Sequence, residues 1–174
     1  LFAKMGEGPL PAHYEPVESP TTNTLYPKHA ISPIIKVWKT NEGQAVGDSW
    51  GTVDKFPLVA TTYRVCEHWQ AGGMSRWLEW LAECQPEMFV EMSRELASEK
   101  AISNGDKVKI SSARGAIEAV AIVTARFKPF MINGKSVHQV GMPWCFGWGV
   151  IASGATANDL PPHVGDGNTT IPEY

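Results

Sequence analysis

The stretch from residue 59 to residue 73 begins as a strand and then changes abruptly in character. Residues 56–63 are rich in apolar, aromatic and β-branched types, which favour strands, and Pro57 stands near the start, where a missing N–H is best tolerated. Polar side chains of several chemical types then follow, and two glycines close the stretch: Arg64, Cys66, Glu67, His68, Gln70, Gly72 and Gly73. Because glycine lets the backbone approach a ligand closely, this order predicts a strand that ends in a binding site.

Length and charge exclude several classes of protein. The 174 residues are enough for one domain with an irregular arm and for a substantial core. The formal net charge is −3, and the basic residues are dispersed along the chain. Proteins that bind nucleic acid or an anionic membrane concentrate their cations instead. Composition therefore favours neither of these partners.

The cysteines and the apolar runs exclude further classes. The three cysteines, Cys66, Cys84 and Cys145, cannot all pair within one chain, and no CxxC motif is present. We therefore expect neither a zinc site nor an iron–sulfur cluster formed by this chain alone. No apolar run approaches the length of a membrane span, and no signal peptide is visible.

Seven tryptophans are many for one domain, and several of them stand in loops rich in glycine and proline. One explanation is that they anchor the core and the loops. We favour a second explanation, in which they form a partly apolar surface that meets a cofactor or another domain.

Residues 1–54 have the character of an extended arm. Prolines occur throughout this part, and it shows no hydrophobic periodicity, so it cannot bury a face of its own. It nevertheless carries aromatic and aliphatic residues such as Tyr14, Ile35 and Trp38, in which a disordered linker would be poorer. We therefore predict an arm, partly in polyproline II, that lies on another surface.

Two short helices are predicted within residues 55–174. The first is capped by Ser75 and ends at Pro86, and the second is capped by Ser93, with a strand over residues 88–92 between them. The first helix has one apolar face, formed by Trp77, Trp80, Leu81 and Cys84.

Strand patterns fill most of the remaining sequence. Strict alternation over residues 107–111 and a longer β run over residues 116–124 predict a hairpin, and Asn133 with Gly134 predicts a second one. Regularity is lost from Gly141 onward, and a loop region of that length is expected to be functional. The predicted fold class is mainly β with short helices, most simply a closed barrel.

Sequence patterns for catalysis are weak. Cys66 and His68 would share one face of a strand, but no third group is placed to orient the imidazole of a nucleophilic pair. Gly147 and Gly149 lack the third glycine, the lysine and the helix of a phosphate-binding loop. The other histidines are scattered, and the carboxylates belong to solvated faces. We therefore predict no catalytic and no metal-ligating residue in this chain.

A binding site for a large polar ligand fits the same residues better. Arg64, His68 and Gln70, with the glycine pair, offer charge-assisted and backbone bonds to an anionic ligand rich in heteroatoms. Trp144 and Trp148 could lie on either side of a flat ring. Further polar groups, of which the two carboxylates suit the donor edge of a guanine, are Asn158, Asp159 and Asp166.

Short matches in a constant order along the chain give a specific resemblance. Residues 61–69 resemble the beginning of the C-terminal molybdopterin-dinucleotide-binding domain of formate dehydrogenase large (alpha) subunits, in the DMSO reductase-like superfamily of molybdopterin oxidoreductases. Residues 1–9 and 13–16 resemble the arm that precedes that domain. Further matches follow at residues 85–87, 104–109, 111–115, 118–121, 157–160, 164–166 and 172–174.

The resemblance implies a double-psi β-barrel of the aspartate-decarboxylase-like kind over residues 55–174, with residues 1–54 as the preceding arm. It implies a domain that binds two molybdopterin guanine dinucleotides carrying molybdenum or tungsten. The subunit would oxidise formate to carbon dioxide and pass electrons to iron–sulfur clusters. The residues that would contact the pterin dinucleotides, partly through their backbone, are Arg64, Val65, Cys66, His68, Gln70, Trp144, Cys145, Asn158 and Tyr174.

The resemblance also implies what lies elsewhere. In this family the metal ligand, the catalytic histidine and arginine and the cluster-binding cysteines belong to upstream domains, so we expect a part of a longer subunit that is inactive alone. The expected partners are the remaining domains of that subunit and an iron–sulfur small (beta) subunit, without nucleic acid or membrane insertion. Many relatives are exported in folded form by the twin-arginine route and serve anaerobic respiration, so the expected location is the periplasm.

Two other functions stay open at this point. The chain could be the same domain of a nitrate or polysulfide reductase, since the upstream sequence sets the substrate. It could also be a stand-alone β-barrel whose tryptophans bind a protein partner, which a stable monomer without cofactor would favour.

Overall fold

The computed structural model describes residues 15, 18–24, 36–37, 50–162, 164–165 and 172–173. Most of the predicted arm, together with Asp166 and Tyr174, lies outside these residues. The chain divides into two compact units, one formed by residues 1–56 and 161–174 and the other by residues 57–160.

Strands dominate the described part of the chain, and the helices are short. The strands are β1 (Lys36–Val37), β2 (Val59–Tyr63), β3 (Phe89–Ser93), β4 (Lys107–Ser111), β5 (Ala116–Thr124), β6 (Phe130–Ile132), β7 (Lys135–Val137), β8 (Gln139–Pro143), β9 (Val164–Gly165) and β10 (Pro172–Glu173). The helices are α1 (Glu79–Cys84) and α2 (Arg94–Lys100), with short 3₁₀ helices at Ser75–Trp77 and Ala157–Asp159. The prediction of a mainly β fold with short helices is confirmed.

The smaller unit contains a three-stranded antiparallel sheet in the order β1–β9–β10. Lys36 of β1 pairs with Gly165 of β9. In the same unit the Gly51 N–H donates to the carboxylate of Glu18. Because these strands have two residues each, they carry no periodicity, and the sequence pattern could not reveal them.

A five-stranded mixed sheet forms the larger unit, in the order β2–β8–β3–β5–β4. β2 runs parallel to β8 and β3 runs parallel to β5, whereas the β8–β3 and β5–β4 pairs are antiparallel. The predicted β4–β5 hairpin is confirmed. In the β2–β8 pair, Tyr63 is the partner of Pro143. Because these two strands are parallel, the segments that begin at Arg64 and Trp144 leave the sheet at the same edge.

The hydrophobic core is formed by alternate residues of β3, β5 and β8 and by the inner face of α2, since alternate residues of a strand share a face. Its members include Val90, Met92, Leu96, Ala97, Ile117, Ala119, Ala121, Val140 and Met142. The Ser93 Oγ accepts a bond from the Leu96 N–H over 3.1 Å, so the predicted cap of α2 is confirmed. Ile102 packs against the core just past this helix.

The turn between β6 and β7 is the one that its two central residues predict. Asn133 and Gly134 have φ values of 51° and 75°. Positive φ at both positions is the requirement of a type I′ turn, which Asn-Gly favours. The second predicted hairpin is therefore confirmed.

The first helix differs from its prediction. It is divided into a 3₁₀ helix and α1, and neither part has a side-chain cap. Ser75 instead accepts a bond from the Trp69 N–H over 2.8 Å. The predicted apolar face is not buried, since Trp77 and Trp80 are 53 % and 69 % exposed and Ala82 is the buried residue of α1. Helical spacing identified the face correctly as apolar, but spacing alone cannot tell a face that meets the core from one that lies on the surface.

The strand β8 was not predicted, although it lies between β2 and β3 and is largely buried. It contains Gly141 and Pro143, which in a sequence favour a loop. A Cβ atom at Gly141 would lie 2.5 Å from Tyr63 Cε1 and 2.5 Å from Phe127 Cζ. The glycine therefore makes room for two aromatic rings and does not interrupt the strand.

Candidate functional site

Two loops leave the edge of the sheet at which β2 and β8 end, and each begins with a residue predicted for the site. Arg64 follows β2 and Trp144 follows β8. The Arg64 Cζ atom lies 4.4 Å from the centroid of the Trp144 ring, which is a cation–π contact. Arg64 is exposed and Trp144 is half-buried. The parallel register thus brings together two predicted residues that are far apart in sequence.

The segment after β2 forms a cleft of about 360 Å³, a volume within the range of ligand-binding pockets. Every residue between positions 64 and 70 that was predicted for the site lines it. The lining residues are Arg64, Val65, Cys66, Glu67, His68, Trp69, Gln70, Ser75 and Leu81.

His68 is only 2 % exposed, and its two ring nitrogens have different surroundings. Nε2 donates to the Gln85 carbonyl over 2.8 Å, and the ring meets the Phe146 ring edge to face at a centroid distance of 5.6 Å. When an imidazole ring carries its one hydrogen on Nε2, Nδ1 is an acceptor. Nδ1 is buried and has no hydrogen-bond partner among the described residues. A ligand that brings an N–H or O–H group would satisfy it.

Trp144 offers a hydrogen-bond donor, which complements the acceptor at His68. Its Nε1 is buried and meets no acceptor within the part of the chain that the structure describes. An indole nitrogen is a donor only, so it calls for an oxygen or an unprotonated ring nitrogen. This end of the sheet therefore presents three groups: the exposed cation of Arg64, the Trp144 donor and the His68 acceptor. The last two have no hydrogen-bond partner among the described residues.

Gln70 holds an uncommon backbone conformation. Its φ is 51°, and for a residue other than glycine this left-handed conformation costs about 1 kcal/mol. It stands in a turn closed by a bond of 2.8 Å from the Gly72 N–H to the Trp69 carbonyl. Its side chain lines the cleft. Strain of this kind is concentrated at ligand-binding positions, where the surrounding structure holds it.

Asn158 is exposed in the second 3₁₀ helix, close to the loop after β8. The Thr156 Oγ1 accepts a bond from the Asn158 N–H over 3.3 Å. A Cβ atom at Gly147 would lie 3.3 Å from Thr156 Cβ, so the two loops are in contact. Arg114 fixes the end of this segment through two bonds, of 3.0 and 2.9 Å, to the Leu160 carbonyl. Asn158 is therefore held beside the loop that begins at Trp144.

One predicted contact residue, Cys145, has its side chain in the core and not at the cleft. The Cys145 side chain belongs to the core at 2 % exposure, and burial raises the pKa of its thiol. Only its backbone would be available to a ligand. Tyr174 lies outside the described residues.

Sequence reasoning missed Arg76. Its side chain is 0 % exposed, and burial lowers the pKa of its guanidinium. Nη1 donates to the carbonyls of Trp148 and Ala152 over 2.9 and 3.3 Å. An arginine between a serine and a tryptophan is ordinarily read as exposed, and nothing in the sequence marks this one as buried.

The alternative of a cysteine nucleophile is not supported. Neither nitrogen of His68 bonds to the Cys66 thiol, because Nε2 donates to the Gln85 carbonyl and Nδ1 has no hydrogen-bond partner among the described residues. Over the described ranges, no group of three or more His, Cys, Asp or Glu is placed to hold a metal ion. None of the helices described here has the length and apolar character needed to cross a membrane.

Comparison with known proteins finds relatives over the full length of the chain. It is 48 % identical over 168 residues to the formate dehydrogenase subunit alpha of Megalodesulfovibrio gigas, which covers 96 % of this chain and 16 % of that protein. It is 46 % identical over 178 residues to the nitrate-inducible formate dehydrogenase major subunit of Escherichia coli strain K12, which covers 100 % of this chain and 17 % of that protein. The chain thus spans about one sixth of the length of these curated relatives.

Among solved structures, the acetylene hydratase from Pelobacter acetylenicus has a TM-score of 0.52 at 13 % identity, over 83 % of this chain and 15 % of that one. At this identity the likeness shows a shared fold alone. Residues 58–174 match the family model described as the Molydopterin dinucleotide binding domain. The matched region includes the loops that carry Arg64, Trp144 and Asn158, and the chain belongs to the molydopterin dinucleotide binding domain family.

Proposed function

We propose that this chain is the cofactor-binding domain of a formate dehydrogenase large subunit, and that the whole subunit oxidises formate to carbon dioxide and passes electrons to iron–sulfur clusters. The observation that carries the proposal is the shared edge at which the loops of Arg64 and Trp144 meet beside the cleft. Relatives named as formate dehydrogenase subunits, 44–48 % identical over nearly the whole chain, support it.

The residues at this edge fit molybdopterin guanine dinucleotide. Arg64 offers an exposed cation to a diphosphate or to a ring carbonyl. The unmatched Trp144 Nε1 and His68 Nδ1 would meet an acceptor and a donor of the pterin or guanine rings. Gln70 adds an amide on the wall of the cleft. When bound, the cofactor supplies the redox chemistry at its molybdenum or tungsten, while this chain binds and orients it.

The contacts from the other loops belong to the same proposal. Asn158 would reach the cofactor from the segment held beside the loop after β8, and Val65, Cys66 and Cys145 would contact it partly through their backbone. Tyr174 is proposed as a further contact on the resemblance alone.

For the fold, we propose a double-psi β-barrel over residues 55–174 and an arm over residues 1–54 that packs on other parts of the subunit. The mixed sheet, in which two parallel pairs alternate with antiparallel ones, supports the barrel.

In the intact enzyme, the proposed partners are the remaining domains of the large subunit and an iron–sulfur small subunit. The names of the relatives, which describe an alpha subunit and a major subunit, support an assembly of several chains. Trp77, Trp80 and Trp148 are each more than half exposed, as expected of a surface that another domain covers. A periplasmic location rests on the resemblance, and fractionation of the native host tests it.

Cofactor analysis of the intact subunit tests the function. The full-length protein is purified without oxygen, and its pterin, guanine nucleotide, molybdenum and tungsten are quantified per polypeptide. We expect pterin and guanine together with one of the two metals, which also decides between them. Arg64→Ala is expected to lower the pterin content, and Arg94→Ala, which removes an exposed arginine at the start of α2, is not. Full-length protein without pterin and without either metal would overturn the proposal.

Activity measurements on the same preparation separate the substrates. Oxidation of formate is the expected result. Reduction of nitrate or polysulfide without oxidation of formate would assign the domain to another member of the superfamily. A stable monomer that never carries cofactor would favour an interaction module.

A further inference from the structure

Arg76 joins the two loops that border the proposed cofactor site. It lies in the 3₁₀ helix at Ser75–Trp77, which belongs to the segment after β2. Its Nη1 donates to the carbonyls of Trp148 and Ala152, which belong to the segment after β8. The connection is reciprocal, because the Ala152 N–H donates to the Arg76 carbonyl over 3.1 Å. One residue therefore ties the two segments together through its side chain and its backbone.

Aromatic rings extend this connection to the cleft. The Arg76 Cζ atom lies 4.8 Å from the centroid of the Trp148 ring and 5.8 Å from that of the Phe146 ring. Phe146 in turn packs edge to face against His68, whose centroid is 5.6 Å away. Continuous contact therefore runs from Arg76 through Phe146 to a residue that lines the cleft.

Gly72 shows that the segment after β2 is shaped around the same side chain. A Cβ atom at this position would lie 2.6 Å from Arg76 Nε and 2.8 Å from Cδ. The backbone of Gly72 can therefore pass against the arginine only because it carries no side chain.

Stability alone does not account for an arginine at this position. Within the described part of the chain no carboxylate pairs with it, and its Nε and Nη2 atoms are buried without hydrogen-bond partners. A buried, unpaired charge is unfavourable, and an apolar side chain of similar volume is often at least as stable. Among the side chains, arginine has N–H groups in fixed directions, which here point to two carbonyls, and it also has a flat face that stacks on Trp148. These properties define a geometry, which is what a binding site assembled from two loops requires.

We infer that Arg76 is a positioning residue, which sets the spacing between the loop of Arg64 and His68 and the loop of Trp144 without touching the cofactor itself. The inference rests on the proposed function, because the cleft lined by the first loop, together with Trp144 beside it, is taken as the cofactor site. Arg76 acts through Phe146, Trp148 and Ala152, the three residues of the second loop that it contacts.

The test compares Arg76→Met and Arg76→Lys with the wild type in the full-length subunit. Methionine keeps an unbranched apolar stem and removes the guanidinium. We expect amide exchange in the peptide over residues 146–153 to rise about tenfold, a factor that corresponds to about 1.4 kcal/mol. Pterin content should fall several-fold in the same protein. Arg76→Lys should resemble Arg76→Met, because an ammonium group has neither the flat face that stacks on Trp148 nor the fixed N–H directions of a guanidinium.

Controls separate positioning from general stability. The peptide over residues 116–124 should exchange as in the wild type, and the melting temperature should change little. Val123→Ala, which removes packing from β5, should lower the melting temperature and leave the exchange of residues 146–153 unchanged.

Two results would overturn the inference. One is wild-type exchange of residues 146–153 together with wild-type pterin content in Arg76→Met. The other is a rise in exchange throughout the domain together with a lower melting temperature, which would indicate a merely structural role. If the wild-type subunit carries no pterin, the proposed function fails, but the exchange data still decide whether Arg76 couples the two loops. The two failures are therefore distinguishable.

Discussion

The hydroxyl of Tyr63 donates to Glu91 Oε2 over 2.9 Å, immediately before the loop that lines the cleft. Glu91 is buried and also accepts bonds from Thr124 over 2.7 Å and from Arg126 Nε over 2.9 Å. Burial alone would raise the pKa of Glu91, but the bonds from Arg126, Thr124 and Tyr63 together hold it below its usual value. The end of β2 is thus fixed by a charged acceptor on β3.

Replacing Glu91 by glutamine should therefore destabilise the domain, by roughly 1–3 kcal/mol at neutral pH, because charge-assisted bonds are lost. Since the pKa is depressed in the folded state, the contribution of the carboxylate is complete above its ordinary value of 4.5 and is lost as the pH falls through the folded value. Thermal unfolding should show the full difference at pH 7 and a shrinking one below about pH 4.5. Glu83→Gln, at an exposed position of α1, is the control. An equal difference at pH 7 and pH 3 would contradict the assignment.

Trp144 should contribute to cofactor retention through its ring and through its N–H group separately. Trp144→Phe keeps an aromatic face for Arg64 and loses the Nε1 donor, whereas Trp144→Leu loses the aromatic face as well as the donor. Each contribution is on the order of 1 kcal/mol, so retention of pterin during gel filtration should fall in the order wild type, phenylalanine, leucine. Trp80→Leu, an exposed tryptophan of α1 outside the cleft, should retain the wild-type amount. Equal retention by all four proteins would remove Trp144 from the site.

Variants at Gln70 should affect the stability of the fold and the binding of the cofactor differently. Gln70→Gly removes the penalty of about 1 kcal/mol for a left-handed glutamine, so the melting temperature should stay the same or rise. The amide on the cleft wall is lost at the same time, and pterin content should fall. Gln70→Asn keeps an amide and tolerates the same backbone conformation. Its pterin content should therefore lie between that of Gln70→Gly and that of the wild type. If Gln70→Gly lowered the melting temperature and left the pterin content unchanged, the Gln70 side chain would stabilise the fold and not bind the cofactor.

Gly141 should tolerate no side chain. A Cβ atom there would lie 2.5 Å from the rings of Tyr63 and Phe127, so Gly141→Ala should destabilise the domain by about 1–3 kcal/mol through overpacking. Gly73→Ala is the matched control, because no atom lies within 4 Å of its Cβ position. Thermal unfolding of the two variants gives the comparison. Similar melting temperatures for both would contradict the packing described for β8.

The parts of the fold that sequence could predict are those specified by neighbouring residues. Asn133 and Gly134 contain the whole requirement of their turn, and Ser93 caps its helix within three residues. The partner of β2 is β8, and nothing in the periodicity of either segment identifies the other. Gly141 made this harder, because the reason for the glycine is a pair of rings contributed by distant segments.

The candidate site divides in the same way. The polar side chains between Arg64 and Gln70 were recognised because they form one cluster at the end of a strand, whereas Val65 was named from the family resemblance alone. The structure places all of them on one cleft. Trp144 was named from its aromatic ring in a glycine-rich loop and from the family resemblance, and its contact with Arg64 depends on the register of two strands. Arg76 was missed because burial of an arginine is decided by what surrounds it, and its neighbours come from another loop.

The parallel pairing of β2 with β8 has a consequence for biosynthesis. Five strands and both helices separate the two in the chain, so β2 leaves the ribosome long before its partner exists. Contacts between residues so far apart in sequence form slowly. Until they form, the side of β2 that pairs with β8 has no hydrogen-bond partners. The end of the sheet at which Arg64 meets Trp144 can therefore form only after translation has passed residue 144.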